Sequence, residues 1–243
     1  MGVGKGWEHV VLKLLRGKDF VFTVTGAEDV TDHYRRVRMS DGGLLAAVGG
    51  ALHPTMWVRL WFQDGGRPHQ RAYTLVDPDT AAGTFSLEFA LHDGVASDWA
   101  RAAEPGDTIE ATVQGTGFTT PSPAPPRLLV IGDPASLPAI NSLLDAHADV
   151  PATIWFETQH GSDEELPVRA DAGRHELRRV PRDGSALVDR VRAELPELVG
   201  DPEQAYVWLA CDAATTRTLT GFVRKELGLP KQRVNALGYW RAA

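Results

Sequence analysis

Arg71-Ala72-Tyr73-Thr74 sets a guanidinium, an aromatic ring and a hydroxyl along one extended segment. A second run, His92-Asp93-Gly94-Val95-Ala96-Ser97-Asp98-Trp99, reads as a strand end that turns into a helix start. A helix start offers backbone N–H groups without intrahelical partners and the positive end of the helix dipole, which suits a diphosphate. The planar fork of Arg71 suits a phosphate. Tyr73 can lie against a flat ring, and the Thr74 hydroxyl can meet a ring nitrogen. Ala96 and Ser97 are small enough for a phosphate to approach their N–H groups. The set describes a pocket for a flavin dinucleotide. Each residue alone has a plainer reading: Arg71 as a surface arginine, Tyr73 as a core tyrosine in a strand, His92 as structural or exposed. Trp99 reads as packing. Gly115-Thr116-Gly117 either brings the backbone close to an adenine or marks a simple turn.

The elements that must hold these residues are legible in outline. Val10 to Leu15, Val21 to Thr25, Tyr34 to Met39, Met56 to Phe62, Phe85 to Leu91 and Thr108 to Val113 are short apolar or alternating runs cut by Gly and Pro. Phe85, Leu87, Phe89 and Leu91 fall on one face. Such a series predicts a barrel, interrupted by one short helix over Ala96 to Ala103. Thr119 to Pro126 is proline-rich and predicts an extended linker. The expected domains are residues 1–120, a linker 121–126, and residues 127–243.

The second half alternates strands with helices. Arg127-Leu128-Leu129-Val130-Ile131 is a continuous apolar run, as a parallel strand buried on both faces requires. Leu137 to Ala148 has helical spacing, Thr153 to Phe156 and Glu176 to Val180 are strands, and Ala186 to Leu195 is a helix. Tyr206 to Cys211 is a strand, Asp212 caps a helix that ends near Gly228, and Val234 to Leu237 closes the pattern. This predicts an α/β doubly wound parallel sheet. Ligands of such sheets sit at the carboxyl ends of the strands, where Gly132, Asp133, Cys211 and Asp212 fall. The helix starting near Ser136 can receive a pyrophosphate. A G-x-G-x-x-G fingerprint is absent.

Bulk properties remove other classes. The net charge of −7 argues against DNA or an anionic membrane as principal partner. A single cysteine, Cys211, excludes an intrachain disulfide. Met1 to Asp19 lacks the apolar core and cleavage site of a signal peptide, and no stretch is apolar enough to span a bilayer, so the cytoplasm is the expected compartment. His53, His69 and His92 are scattered, so no metal site is expected.

The run R-x-Y-T followed by H-x-G-x-A-S-x-W-A resembles the FAD-binding domain of the siderophore-interacting proteins, ferric-siderophore reductases of the ferredoxin-NADP reductase superfamily. Three later blocks are similar to family motifs in the same order. They are Gly132-Asp133 to Leu137-Pro138-Ala139-Ile140, Tyr206-Val207-Trp208-Leu209-Ala210, and Gly238-Tyr239-Trp240-Arg241. The resemblance spans nearly the whole chain. It implies a β-barrel FAD-binding domain followed by an α/β NAD(P)-binding domain. It also implies reduction of a ferric siderophore through FAD by NADPH or NADH, with ferrous iron released. On this pattern Arg71, Ala72, Tyr73, Thr74, His92, Gly94, Ala96, Ser97 and Gly117 attend FAD, His92 at its adenylate half. Gly132, Asp133, Ser136, Asp212 and Trp240 attend the cofactors from the second domain. Arg36, Arg59 and Arg241 are candidates to receive an anionic ferric chelate, and each is equally readable as a solvated arginine. No acid or base is required, because the flavin does the chemistry.

Two departures matter. Val76 stands where the family often has a second arginine, and Cys211-Asp212 stands where it often has Gly-Glu. They keep open a flavin- or siderophore-binding module without reductase activity. A flavin reductase serving another acceptor and ferredoxin as the electron donor also stay open.

Overall fold

β-branched and aromatic residues in alternation build the strands of the N-terminal unit. In the computed structural model, which describes residues 19–113 and 116–241, these are β1 (Asp19–Thr31), β2 (Tyr34–Ser40), β3 (Trp57–Asp64), β4 (Arg67–Thr74), β5 (Val76–Asp79), β6 (Thr84–Ala90) and β7 (Thr108–Thr112). The strand expected over Val10 to Leu15, and Gly115, lie outside the described residues. The helices are α1 (Leu44–Val48) and α2 (Val95–Ala102). The strands form one antiparallel sheet in the order β4-β3-β7-β1-β2-β6-β5, curled into a half-barrel. Phe22, Val37, Val58, Leu60, Leu87 and Phe89 are among the side chains that fill its core. Phe85, Leu87, Phe89 and Leu91 are all buried, as their alternation predicts.

Two features escape the alternation rule. The first is α1, whose Asp41 carboxylate accepts from Gly43 N at 2.9 Å and Leu45 N at 2.6 Å. The second is Glu88, which alternation turns away from the core yet is buried. Its carboxylate accepts from the Tyr34 hydroxyl at 2.8 Å and from Arg36 Nε at 2.8 Å, and Arg36 Nη2 also bonds it. A buried carboxylate persists only when it is paired in this way.

The C-terminal unit contains β8 (Leu128–Gly132), a 3₁₀ turn Pro134–Ser136, α3 (Leu137–Ala146), β9 (Ala152–Thr158), β10 (Glu176–Pro181), α4 (Ala186–Val199), β11 (Tyr206–Ala210), α5 (Ala213–Gly221) and β12 (Val234–Ala236). All five strands are parallel, in the order β10-β9-β8-β11-β12. The chain order reverses between β8 and β11, which is the topological switch point of a doubly wound sheet. β8, β9 and β11 are buried along their whole length, as strands covered on both faces must be. The chain divides into units 1–118 and 119–243. The helix expected to run to Gly228 stays α-helical only to Gly221. It then widens into a π turn over Phe222–Glu226, and Gly228 at φ 75° stops it. Among the described residues no helix is long and apolar enough to cross a membrane.

Two substitutions test this packing. A β-carbon at Gly132 would lie 2.4 Å from Ser136 Oγ and 2.6 Å from Ile140 Cδ1. Gly132→Ala is expected to lower unfolding stability by about 1–3 kcal/mol, the usual range for overpacking. Glu88→Ala removes the acceptor shared by Tyr34 and Arg36 and is expected to cost about 2 kcal/mol or more. Urea titration of each variant reads both.

Candidate cofactor and donor sites

The R-A-Y-T run occupies β4, an edge strand that pairs only with β3 among the described strands, so its other side keeps backbone groups for a ligand. Register places Tyr73 opposite Val58 and Arg71 opposite Leu60, whereas Thr74 lies opposite Trp57 and Ala72 opposite Arg59. Val58 and Leu60 are fully buried, so Arg71 and Tyr73 share the core-facing side of the strand and Ala72 and Thr74 the other. Tyr73 is half-buried, its ring 4.3 Å from Phe89 and 6.2 Å from Phe62. Burial pushes its hydroxyl well above the ordinary tyrosine range, and the Arg71 charge pulls it only part of the way back. It is therefore a neutral ring at neutral pH. Arg71 is exposed and bonds the Gln70 carbonyl oxygen at 2.8 Å, with no acid paired to it among the described residues. Thr74 is buried.

The same aromatic cluster carries the helix start. Trp99 of α2 lies 5.9 Å from Phe62 and 5.8 Å from Phe89, so it packs, as read from sequence. α2 begins after Gly94 at φ 141°, a conformation open to glycine, and no side chain caps its first N–H groups. Ser97 Oγ instead accepts from His92 N at 3.1 Å, and the His92 ring bonds the Asp93 carbonyl at 2.7 Å. An uncapped helix start with small residues Ala96 and Ser97 fits a diphosphate. These residues fit FAD. Gly117 is exposed, with open space where a β-carbon would stand. A cavity of about 420 Å³ lies beside α2 where β3 and β7 separate, lined by Trp61, Phe62, Val95, Trp99, Ile109 and Glu110 among others.

The carboxyl ends of the parallel strands in the second unit collect charge. Asp133 is fully buried after β8. Its carboxylate accepts from Ser136 N at 3.2 Å and from Trp240 Nε1 at 2.7 Å. Asp212, after β11, caps α5 by accepting from Ala214 N at 2.8 Å and Thr215 N at 3.1 Å. At the switch point side-chain carboxylates thus cap the 3₁₀ turn that leads into α3 and the start of α5, unlike α2. Trp240 O accepts from Ala213 N at 2.9 Å, which holds the C-terminal segment over the strand ends. Glu157 and Arg182 were not singled out from sequence. Glu157 is buried at the end of β9, and Arg182, which follows β10, bridges it at 3.4 Å while lying 4.5 Å over the Trp240 ring. The signal available was position: each stands at the carboxyl end of a strand.

The carboxyls respond to this crowding. Burial pushes Asp133 up to about 6, against the Trp240, Ser136 and Ala135 hydrogen bonds and the Arg182 charge. Burial, resisted by Arg182 and reinforced by Asp133 and Asp212, pushes Glu157 up to about 7. Burial acts to raise Asp212 too, but its Thr215 and Ala214 bonds and Arg182 outweigh it and hold this carboxyl low. Cys211 is raised by burial and by all three carboxylates, so it is a neutral packing thiol.

Of the three candidate substrate arginines, Arg36 and Arg59 lie in the first unit and Arg241 in the second. Arg36, on β2, is committed to Glu88 of β6, and two strands, β7 and β1, separate β2 from β3 in the sheet order. Arg59, on β3, lies 5.0 Å over Trp57 and has a buried Nε without a partner. Arg241 is exposed in the second unit. No group of three or more His, Cys, Asp or Glu among the described residues could hold a metal ion.

Comparison with known proteins agrees with this architecture. Residues 23–115 match the siderophore-interacting FAD-binding domain and residues 125–243 the siderophore-interacting protein domain. The mycobactin import ATP-binding/permease protein IrtA of Mycolicibacterium thermoresistibile is 34% identical over 98% of the chain, which spans only 26% of that protein. The protein Rv2895c of Mycobacterium tuberculosis is 32% identical, with 96% of this chain and 85% of that one covered. The crystal structure of the siderophore-interacting protein SipS from Aeromonas hydrophila superposes with a TM-score of 0.76 at 23% identity, covering 93% of this chain and 92% of that one. The chain belongs to the siderophore-interacting protein family, with an N-terminal FAD-binding domain and a C-terminal parallel-sheet domain in the ferredoxin reductase-like fold.

Proposed function

We propose that this protein is an FAD-dependent oxidoreductase that reduces ferric siderophores with electrons from NADH or NADPH. The observation that carries the reading is the pairing of an edge strand bearing Arg71 and Tyr73 with the uncapped start of α2, tied together by the Phe62–Tyr73–Phe89–Trp99 cluster. FAD, when bound, supplies the redox chemistry. The neutral Tyr73 ring, backed by Phe89, gives a flat apolar surface that orients a ring and excludes water from it. Arg71 neutralises a phosphate. The N–H groups of Ala96 and Ser97 fix the diphosphate, with His92 beside the adenylate half. Thr74, on the opposite side of β4, bonds a polar edge of the ring system where it wraps the strand.

The C-terminal unit receives the nicotinamide dinucleotide at the carboxyl ends of its strands, near Gly132, Asp133, Ser136, Asp212 and Trp240. A hydride carries two electrons in, and two ferric chelates each take one. Ferrous iron is held less tightly by hard oxygen chelators and is released. Arg59 and Arg241 are the guanidiniums left to attract an anionic chelate, since Arg36 is spent on Glu88. The IrtA relatives are mycobactin import proteins, which makes a mycobactin the first acceptor to try. Electron donation by ferredoxin and a flavin reductase serving another acceptor are the competing assignments, and the cytoplasm is the proposed compartment.

Visible-absorption titration with FAD should give a stoichiometric, perturbed flavin spectrum; a free-flavin spectrum throughout would sink the assignment. Arg71→Ala should weaken FAD binding about tenfold or more, the worth of a charge-assisted contact to phosphate. In the flavin-loaded protein, anaerobic mixing with NADH or NADPH should bleach the flavin, whereas a binding module without reductase activity keeps it oxidised. The Tyr73→Ala/Thr74→Ala double variant, still folded by circular dichroism, should be reduced more slowly than the parent. Unchanged turnover in that variant removes the roles given to both residues.

A further inference from the structure

The outer face of β3 carries a row of side chains that the core does not use. Burial alternates along this strand: Val58, Leu60 and Phe62 fill the core, so Trp57, Arg59 and Trp61 share the opposite face and stay half-buried. The row sets an indole, a guanidinium and a second indole along one line. Arg59 lies 5.0 Å over the Trp57 ring, and Trp61 Nε1 donates to Thr112 Oγ1 at 3.0 Å, which fixes that indole. On the β4 side Arg59 stands opposite Ala72, which is exposed and too small to cover it. Arg59 is also the exception among the stacked guanidiniums. Among the described residues Arg178, Arg182 and Arg192 likewise lie over aromatic rings, and each is held by a carboxylate, of Glu194, Glu157 and Glu226. Arg59 has no such carboxylate among the described residues, and its buried Nε meets no acceptor. A sheltered donor left unmatched costs free energy that an incoming anionic oxygen recovers. Glu110 lines the same cavity as Trp61, so negative charge is best received at the Trp57–Arg59 end of the row.

We infer that the Trp57–Arg59–Trp61 row selects the chemical class of the acceptor: it takes an aryl-oxide ferric chelate, whose iron-binding oxygens sit on aromatic rings, in preference to a hydroxamate. The inference rests on the ferric-siderophore reading above. Flat electron-rich rings stack on indoles and on a guanidinium plane, whereas a hydroxamate offers no ring. Charge points the same way. A ferric tris-catecholate keeps a net negative charge because each ligand brings a pair of anionic oxygens. A ferric tris-hydroxamate is neutral, so it gives an unmatched guanidinium little reason to bind it. Trp57 and Trp61 therefore orient the rings, and Arg59 takes the charge. Register also sets Trp57 opposite Thr74, the residue assigned above to a polar edge of the flavin ring system. A chelate seated at the Trp57 end thus lies beside the source of its electrons.

Gallium carries the same charge as ferric iron and is not reduced, so its chelates read binding apart from turnover. The test is calorimetric titration of the full chain, with FAD added, by gallium tris-catecholate and by gallium tris-hydroxamate. The parent should bind the catecholate about tenfold or more tighter at low salt. Trp57→Leu and Arg59→Gln should each lose about tenfold in catecholate affinity and leave the hydroxamate unmoved, the worth of a stacked or charge-assisted contact. Added salt should weaken catecholate binding more in the parent than in Arg59→Gln. Arg59→Lys, which keeps the charge and loses the planar fork, should fall between the two and serves if circular dichroism shows the glutamine variant unfolded. Equal or tighter hydroxamate binding, no catecholate binding, or catecholate affinity unmoved in both variants overturns the inference. Flavin bleaching by NADH or NADPH is a separate reading. Catecholate binding without bleaching removes the reductase reading and keeps this site, whereas bleaching without chelate binding removes this site and leaves a flavin reductase serving another acceptor.

Discussion

The N-terminal unit depends on one cluster of four rings. Tyr73 on the edge strand, Phe62 on β3, Phe89 on β6 and Trp99 on α2 touch in a closed set. Aromatic rings bury large areas and prefer tilted or edge-to-face contacts, so such a set fixes both position and orientation. Here it joins elements far apart in sequence: the strand that supplies Arg71 and the helix whose start is uncapped. Without Trp99 against Phe62 and Phe89, α2 has only eight residues and a glycine before it, too little to hold a helix in place alone. The apolar core thus holds the edge strand that carries Arg71 and the uncapped start of α2 in a fixed arrangement.

The second unit solves a different electrostatic problem. The carboxylates of Asp133 and Asp212 cap the 3₁₀ turn after β8 and the start of α5 after β11, and a third carboxylate, Glu157, lies close enough to couple to both. Three acids share Arg182, so desolvation is not fully repaid, and Asp133 and Glu157 answer by binding protons more tightly. The hydrogen bond from Trp240 and its contact with Arg182 tie the C-terminal segment to this edge. α2 is left without a side-chain cap, whereas Asp212 closes the start of α5 and Asp133 closes the 3₁₀ turn that leads into α3.

Much of this was legible in the sequence because burial imposes a period. The alternation Phe85, Leu87, Phe89, Leu91 and the continuous run Leu128 to Ile131 named their own environments. Asp212 announced itself as a cap by standing between a strand and a helical pattern. What the sequence hid was polar burial. Glu88 looks like the outward member of an alternating strand, and only the cross-strand register to Arg36 and the Tyr34 hydroxyl explains it. Arg36 looked like a free cation for the same reason. Glu157 and Arg182 were invisible as partners because they come together through the parallel pairing of β9 and β10, which no local pattern encodes.

An acidic protein that handles anionic ligands must confine its positive potential. At a net charge of −7, attraction by the whole molecule cannot concentrate a phosphorylated cofactor or a ferric chelate. On the proposed reading, recognition falls to directed donors such as the exposed Arg71 guanidinium on an edge strand and the N–H groups at the uncapped start of α2, each screened by salt beyond about 10 Å. Elsewhere the same chain neutralises its guanidiniums against carboxylates, Arg36 with Glu88 and Arg182 with Glu157. On that reading selectivity comes from which donors are left unpaired, and the acids that occupy the others shape the recognition surface as much as Arg71 does.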